Sequence, residues 1–259
     1  MRLRYHYCSL NRLLMHHSVS RFCAFAFFCV VLKSAPLLAQ QTIVNLPSAD
    51  QTPKGHLFVL HETQFRTWDP EPYWRSTNFF TYGITDGFEA CFTTYNIDLI
   101  GRNKPYTALG FGYKFAHQFF RETEPDLEVK LTGGQMLTAS LDGLGTGLWT
   151  YAHASMRLPV LHTRIAAGLS NGSRQVFGGV REGFITGEHI NFIGSIEQPF
   201  TKDFGFVMEW FAGDHEMADL IPGIIYHNKQ YEVVIILGYK IGNTGASGNG
   251  IIFEIGKTF

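Results

Sequence analysis

Gly168-Leu169-Ser170-Asn171-Gly172 spells G-x-S-x-G. In serine hydrolases that pattern sets a nucleophile on a tight strand-to-helix turn, with a histidine elsewhere in the chain to take its proton. His189 lies downstream of Ser170, but a Gly-rich stretch follows the motif where the helix would have to begin. A strand running out into a loop accounts for these residues, and no catalytic residue is expected. His215-Glu216 begins like H-E-x-x-H, in which two histidines one helical turn apart hold zinc. Position 219 is Asp219, so the second ligand is missing and no metal set forms; Asp214, His215 and Glu216 read as a hydrated loop. No phosphate-binding or dinucleotide-binding glycine pattern occurs, and no cofactor is expected.

A second group of charges is more regular. Glu62, Glu89, Glu128, Lys130, Arg157, Arg164, Glu197, Glu209 and Glu254 fall in the polar row of stretches that alternate with period two. Strand side chains alternate between two faces, so these charges share the face turned away from the apolar row. Charges on an enclosed face either line a water path or pair across it. Arg157 and Arg164, on adjacent strands, are expected to meet one or more of Glu197, Glu209 and Glu254, as a structural polar core more readily than as a selectivity filter.

The elements that carry these residues begin at residue 55. Twelve alternating stretches of about ten residues follow, from GHLFVLHETQFRT at 55–67 to GIIFEIGKTF at 250–259, with no amphipathic helix between them. In the ninth, 203–213, Phe204, Phe206, Met208 and Trp210 form one row and Gly205, Val207 and Glu209 the other. The links tend to alternate: short after the second, sixth, eighth and tenth stretches, longer elsewhere, with AHQFFRETEP breaking the trend after the fourth. Aromatic residues recur near the ends of the stretches, including Trp68, Tyr73, Trp74, Trp149, Phe200 and Tyr231, where an outer aromatic girdle would lie.

The first forty residues have another character. An apolar run from Phe22 to Leu32 is too short to cross a bilayer as a helix, and SAPLLAQQ after it fits a signal-peptide cleavage site following Ala39. Residues 1–39 hold five of the 21 basic side chains and none of the 22 acidic ones, so cleavage leaves a chain of about −6. A mildly acidic chain lacks the basic footprint of nucleic-acid binding. Cys8, Cys23 and Cys29 would leave with the signal, so Cys91 remains without an internal disulfide partner.

Long links at one end, short links at the other, and a final strand ending on Phe259 resemble the Gram-negative outer-membrane β-barrel class over residues 55–259. The resemblance implies an all-β fold: a closed antiparallel transmembrane barrel of about twelve strands, preceded by a cleavable signal peptide, with 40–54 as a periplasmic lead-in. It implies location in the outer membrane, contact with its lipid and lipopolysaccharide, and delivery by barrel-assembly machinery that reads Phe253, Ile255 and Phe259 in the last strand. Arg174 and Arg181, in the longest loop, would either fold into the lumen or touch lipopolysaccharide phosphates. Pro222 is a departure, because proline removes a donor from the ladder of its strand. The function expected is passive, a small-solute channel or a structural barrel. An outer-membrane lipid hydrolase and a secreted soluble β-sandwich are the alternatives.

Overall fold

The structure, a computed structural model, describes residues 44–68, 72–98, 107–143, 145–173, 176, 189–213, 215, 217–243 and 248–259. Twelve strands follow one another: β1 (Leu57–Arg66), β2 (Tyr73–Thr85), β3 (Phe88–Asp98), β4 (Ala108–Gln118), β5 (Lys130–Ser140), β6 (Thr146–Arg157), β7 (Arg164–Gly172), β8 (His189–Pro199), β9 (Phe204–Phe211), β10 (Asp219–Asn228), β11 (Val233–Gly242) and β12 (Gly250–Thr258). Each pairs antiparallel with its neighbours in sequence, and β12 pairs with β1, so the sheet is a closed barrel. At the seam Phe259 N donates to Leu57 O (2.8 Å) and Leu57 N donates to Phe259 O (3.1 Å). The alternating end of the chain is thereby paired rather than left as an open edge.

Alternation decides what faces where. In β9, β11 and β12 the rows headed by Phe204, Val233 and Ile251 point outward, while Gly205, Val207, Glu209, Val234, Ile236 and Glu254 are buried inside. Among the described strand side chains, Lys257 near the very end of β12 is the one Asp, Glu, Lys or Arg in an outward row. Polar side chains in the outward rows of β1, β2 and β3 satisfy each other: His61 Nδ1 lies 2.8 Å from Asn78 Oδ1, and Asn78 Nδ2 donates to Thr94 Oγ1 at 3.0 Å.

Several elements differ from the sequence reading. β5 starts at Lys130 and runs on to Ser140, because Pro125–Leu127 form a single 3₁₀ turn before it. The link after β5 is therefore short, and the longer link lies between β4 and β5. Pro222 sits within β10 opposite Met208 of β9, whereas the β10–β11 register skips Ile221 and Pro222. That gap is where a residue without an N–H costs the ladder least. Trp149 turns inward against Tyr151 and Phe211, and Tyr73 lies with the inward row between the guanidiniums of Arg66 and Arg75, so neither joins an outer girdle.

The barrel is filled. Val44, Leu46, Phe58, Leu60, Ile193 and Val207 belong to one buried apolar cluster inside it. Two members of that cluster come from the segment before β1, which was expected to be a lead-in outside the barrel. Residues 44–54 run through the lumen and turn back into β1 at Gly83 of β2: Gly55 N donates to Gly83 O (2.8 Å) and Gly83 N to His56 O (3.1 Å). A Cβ at position 83 would collide with the carbonyl oxygen of Pro53, so only glycine admits the crossing.

Candidate functional site

The lumen holds the polar chemistry of this chain, and the N-terminal segment organises it. Glu209, fully buried on β9, accepts three consecutive backbone N–H groups: Val44 and Leu46 at Oε2 (2.9 and 2.8 Å) and Asn45 at Oε1 (2.8 Å). An isolated buried carboxylate is costly, and a nest of backbone donors is one of the few arrangements that compensates it. Further along, Asp50 accepts from Arg164 at both oxygens and from Lys130 Nζ at 3.1 Å. Lys114 Nζ lies 3.0 Å from Glu89 Oε1 and donates to Asp50 O, while Thr52 N donates to Glu89 Oε2 at 2.7 Å.

Each strand contributes little to this site, and the closed sheet brings the contributions together. Arg164 opens β7, Lys130 opens β5, Lys114 lies in β4 and Glu89 in β3, all toward the end of the barrel with the short turns. Around Asp50 the network continues: Arg164 reaches Glu197 and Glu128, both at 3.4 Å, and Arg157 Nε lies 3.0 Å from Glu128 Oε1. Glu128 occupies the link before β5 in a left-handed conformation, φ 40°, and its carboxylate meets both arginines. Burial alone would raise the Asp50 carboxyl, but Arg164 and Lys130 outweigh burial and hold it well below the usual carboxylate range.

The nine charges expected in the lumen row are all placed toward the interior, but in different company. Arg164 meets Glu197, whereas Glu209 holds backbone of residues 44–46 and Arg157 pairs with Glu128. Glu62 and Glu254 are direct cross-strand partners on β1 and β12, both buried, with Gln64 Nε2 donating to Glu62 Oε1 at 2.8 Å. Asp50, Lys114, Asp219 and Lys240 complete the pairing and were absent from the expected set; Lys114, Asp219 and Lys240 were legible by the same alternation, Asp50 was not. Arg174 and Arg181 lie outside the described residues. Ser170 sits within β7, which continues to Gly172, and faces inward between Tyr151 of β6 and Asn191 of β8. The geometry that G-x-S-x-G catalysis requires is not built here.

Two cavities flank the segment. One of 190 Å³ lies at the short-turn end beside Asp50, Arg164 and Glu197. The other, of 140 Å³, lies at the long-loop end beside Asn45, Glu62 and Asp219.

A closed antiparallel barrel of twelve strands is the class this chain falls into, and solved porins share it. A KdgM porin in complex with disordered oligogalacturonate superposes with a TM-score of 0.52 and 10% identity, covering 79% of this chain and 98% of that one. A NanC porin in a rhombohedral crystal form gives 0.50 and 12%, covering 78% of this chain and 98% of that one. No family model matches the sequence, and no curated protein matches it. The likeness is one of fold.

Proposed function

We propose that this chain is an exported outer-membrane barrel for small solutes, and that residues 44–54 form the constriction of its pore. One observation carries the membrane part of the reading: the outward rows of a closed twelve-strand sheet are free of ionised side chains except for Lys257 near one rim, among the described residues. Hydrocarbon requires both features, a sheet without edges and an outer wall without charge. The shared fold with two porins supports the transport part. In this reading residues 1–39 are a signal peptide removed on export, the outer wall meets lipid and lipopolysaccharide, and Phe253, Ile255 and Phe259 are read by the assembly machinery. Catalysis forms no part of it.

The chain from 44 to 54 occupies the lumen by its backbone, so solutes pass only where it leaves space or when it moves. Planar-bilayer recordings of refolded chain 40–259 and of the same chain lacking 40–50 test this. The full chain is expected to show small, intermittent conductance and the shortened one a larger, steady conductance. Absence of conductance from both, with folding verified by heat-modifiable gel migration, would refute transport. The second reading, a purely structural barrel, would then stand, favoured by the packed apolar cluster around Val44 and Leu46.

A further inference from the structure

We infer that the lumen is a binding site for an extended peptide, and that residues 44–54 occupy it as a built-in competitor. The inference rests on the channel reading above and names the solute class of that channel.

The wall grips this segment by its main chain. Glu209 accepts the N–H groups of Val44, Asn45 and Leu46, and Glu89 accepts that of Thr52. Lys114 Nζ donates to the carbonyl of Asp50 and, at 3.4 Å, to that of Ser48. Glu209 and Glu89 are fully buried and Lys114 nearly so. They come from β9, β3 and β4, so one strip of backbone is held from opposite sides of the closed sheet. Contacts to main chain do not depend on side-chain identity, which is how extended peptides of varied sequence are bound. Three side chains add a preference: Val44 and Leu46 pack in the apolar cluster, and Asp50 meets Arg164 through both oxygens. The ligand that fits is an extended chain with two apolar residues separated by one position and an acidic residue four positions beyond the second.

Withdrawal of the segment shows why a peptide is favoured. Arg164 keeps Glu197 and Glu128, and Glu89 keeps Lys114. Glu209 loses all three of those backbone donors, and a buried carboxylate stripped of donors is costly. A second peptide restores them in kind, with consecutive amide N–H groups at one carboxylate and carbonyls further along for Lys114.

Fluorescence anisotropy tests this with a dye-labelled heptapeptide, acetyl-Val-Asn-Leu-Pro-Ser-Ala-Asp, the sequence of 44–50. It is titrated with three refolded proteins in detergent: chain 40–259, the same chain with Asp50→Ala, and the chain lacking 40–50. Saturable binding to the chain lacking 40–50 is expected. The wild type should bind weakest, because its tethered copy competes at an effective concentration on the order of millimolar. Asp50→Ala loosens that copy, so it should bind the peptide about tenfold more tightly than the wild type does. N-methylation of the first three peptide residues, which removes their N–H groups, is expected to abolish binding. A peptide keeping Val, Leu and Asp, with alanine elsewhere, should bind within about tenfold of the parent. The proposal is overturned if neither the shortened chain nor Asp50→Ala, each shown folded by heat-modifiable migration, binds saturably. It is equally overturned if the N-methylated peptide binds like the parent, or if the alanine peptide fails where the parent binds. Conductance from the same preparations separates the two readings: conductance without peptide binding removes this site and leaves the channel, and binding without conductance does the reverse.

Discussion

Asp50 and Arg164 meet through two parallel contacts, Oδ2 to Nη1 at 2.8 Å and Oδ1 to Nη2 at 3.2 Å, and this fork-to-fork pair ties the N-terminal segment to the barrel wall. Asp50→Ala leaves Arg164 with Glu197 and Glu128, so the loss is expected to be about 1–3 kcal/mol and not that of an orphaned charge. Hydrogen exchange should show faster amide exchange in 44–54 with little change in β8 to β11.

The same pair sets a pH dependence. The folded Asp50 carboxyl is depressed below its unfolded value of about 3.9, so its contribution is complete above that pH and is lost as pH falls through the lower, folded value. Amide protection of residues 44–54 is expected to hold from neutrality down to about pH 4 and to decline only in stronger acid. A decline centred near neutral pH would show that some other group controls the segment.

Glu209 anchors the opposite end of the segment. Glu209→Ala removes the acceptors of three backbone donors at once, and each buried donor left unmade costs about 1–3 kcal/mol. The segment should withdraw rather than pay that cost in place. Increased single-channel conductance, approaching that of the chain lacking 40–50, is the expected result.

Leu237, midway along β11 and 56% exposed, probes the outer wall. Leu237→Arg is expected to destabilise the barrel in lipid vesicles by about 2–4 kcal/mol, the scale for a charge at the bilayer midplane. Reversible denaturant unfolding in vesicles measures this, and an unchanged stability would show that β11 does not face hydrocarbon.

Phe259 closes the seam through its backbone and ends the chain with its ring. Deleting Phe259 removes both hydrogen bonds to Leu57, whereas Phe259→Ala keeps them. Both changes are expected to lower the heat-modifiable form recovered in the outer-membrane fraction if assembly reads the ring, and the deletion should also lower the melting temperature. Wild-type recovery of Phe259→Ala would end the proposed role of the ring in delivery.

The twelve strands and their outward rows were legible in the chain, because period-two alternation is a local property and each stretch carries its own. Val233, Ile235, Leu237 and Tyr239 read as one face without reference to any other strand. Trp149 was misread for a related reason. In GLWTYAHASMR both rows contain large or apolar residues, so alternation identifies a strand without saying which row turns in.

Charge identity was likewise visible, but partnership was not. Asp50 precedes Arg164 by 114 residues, and Val44 precedes Glu209 by 165. By itself the sequence determined a chain of alternating strands with charges confined to one row. That the segment ahead of them threads the lumen, and which of those charges hold it, was decided by closure of the sheet, because only a closed wall brings the inward rows of distant strands around one enclosed space.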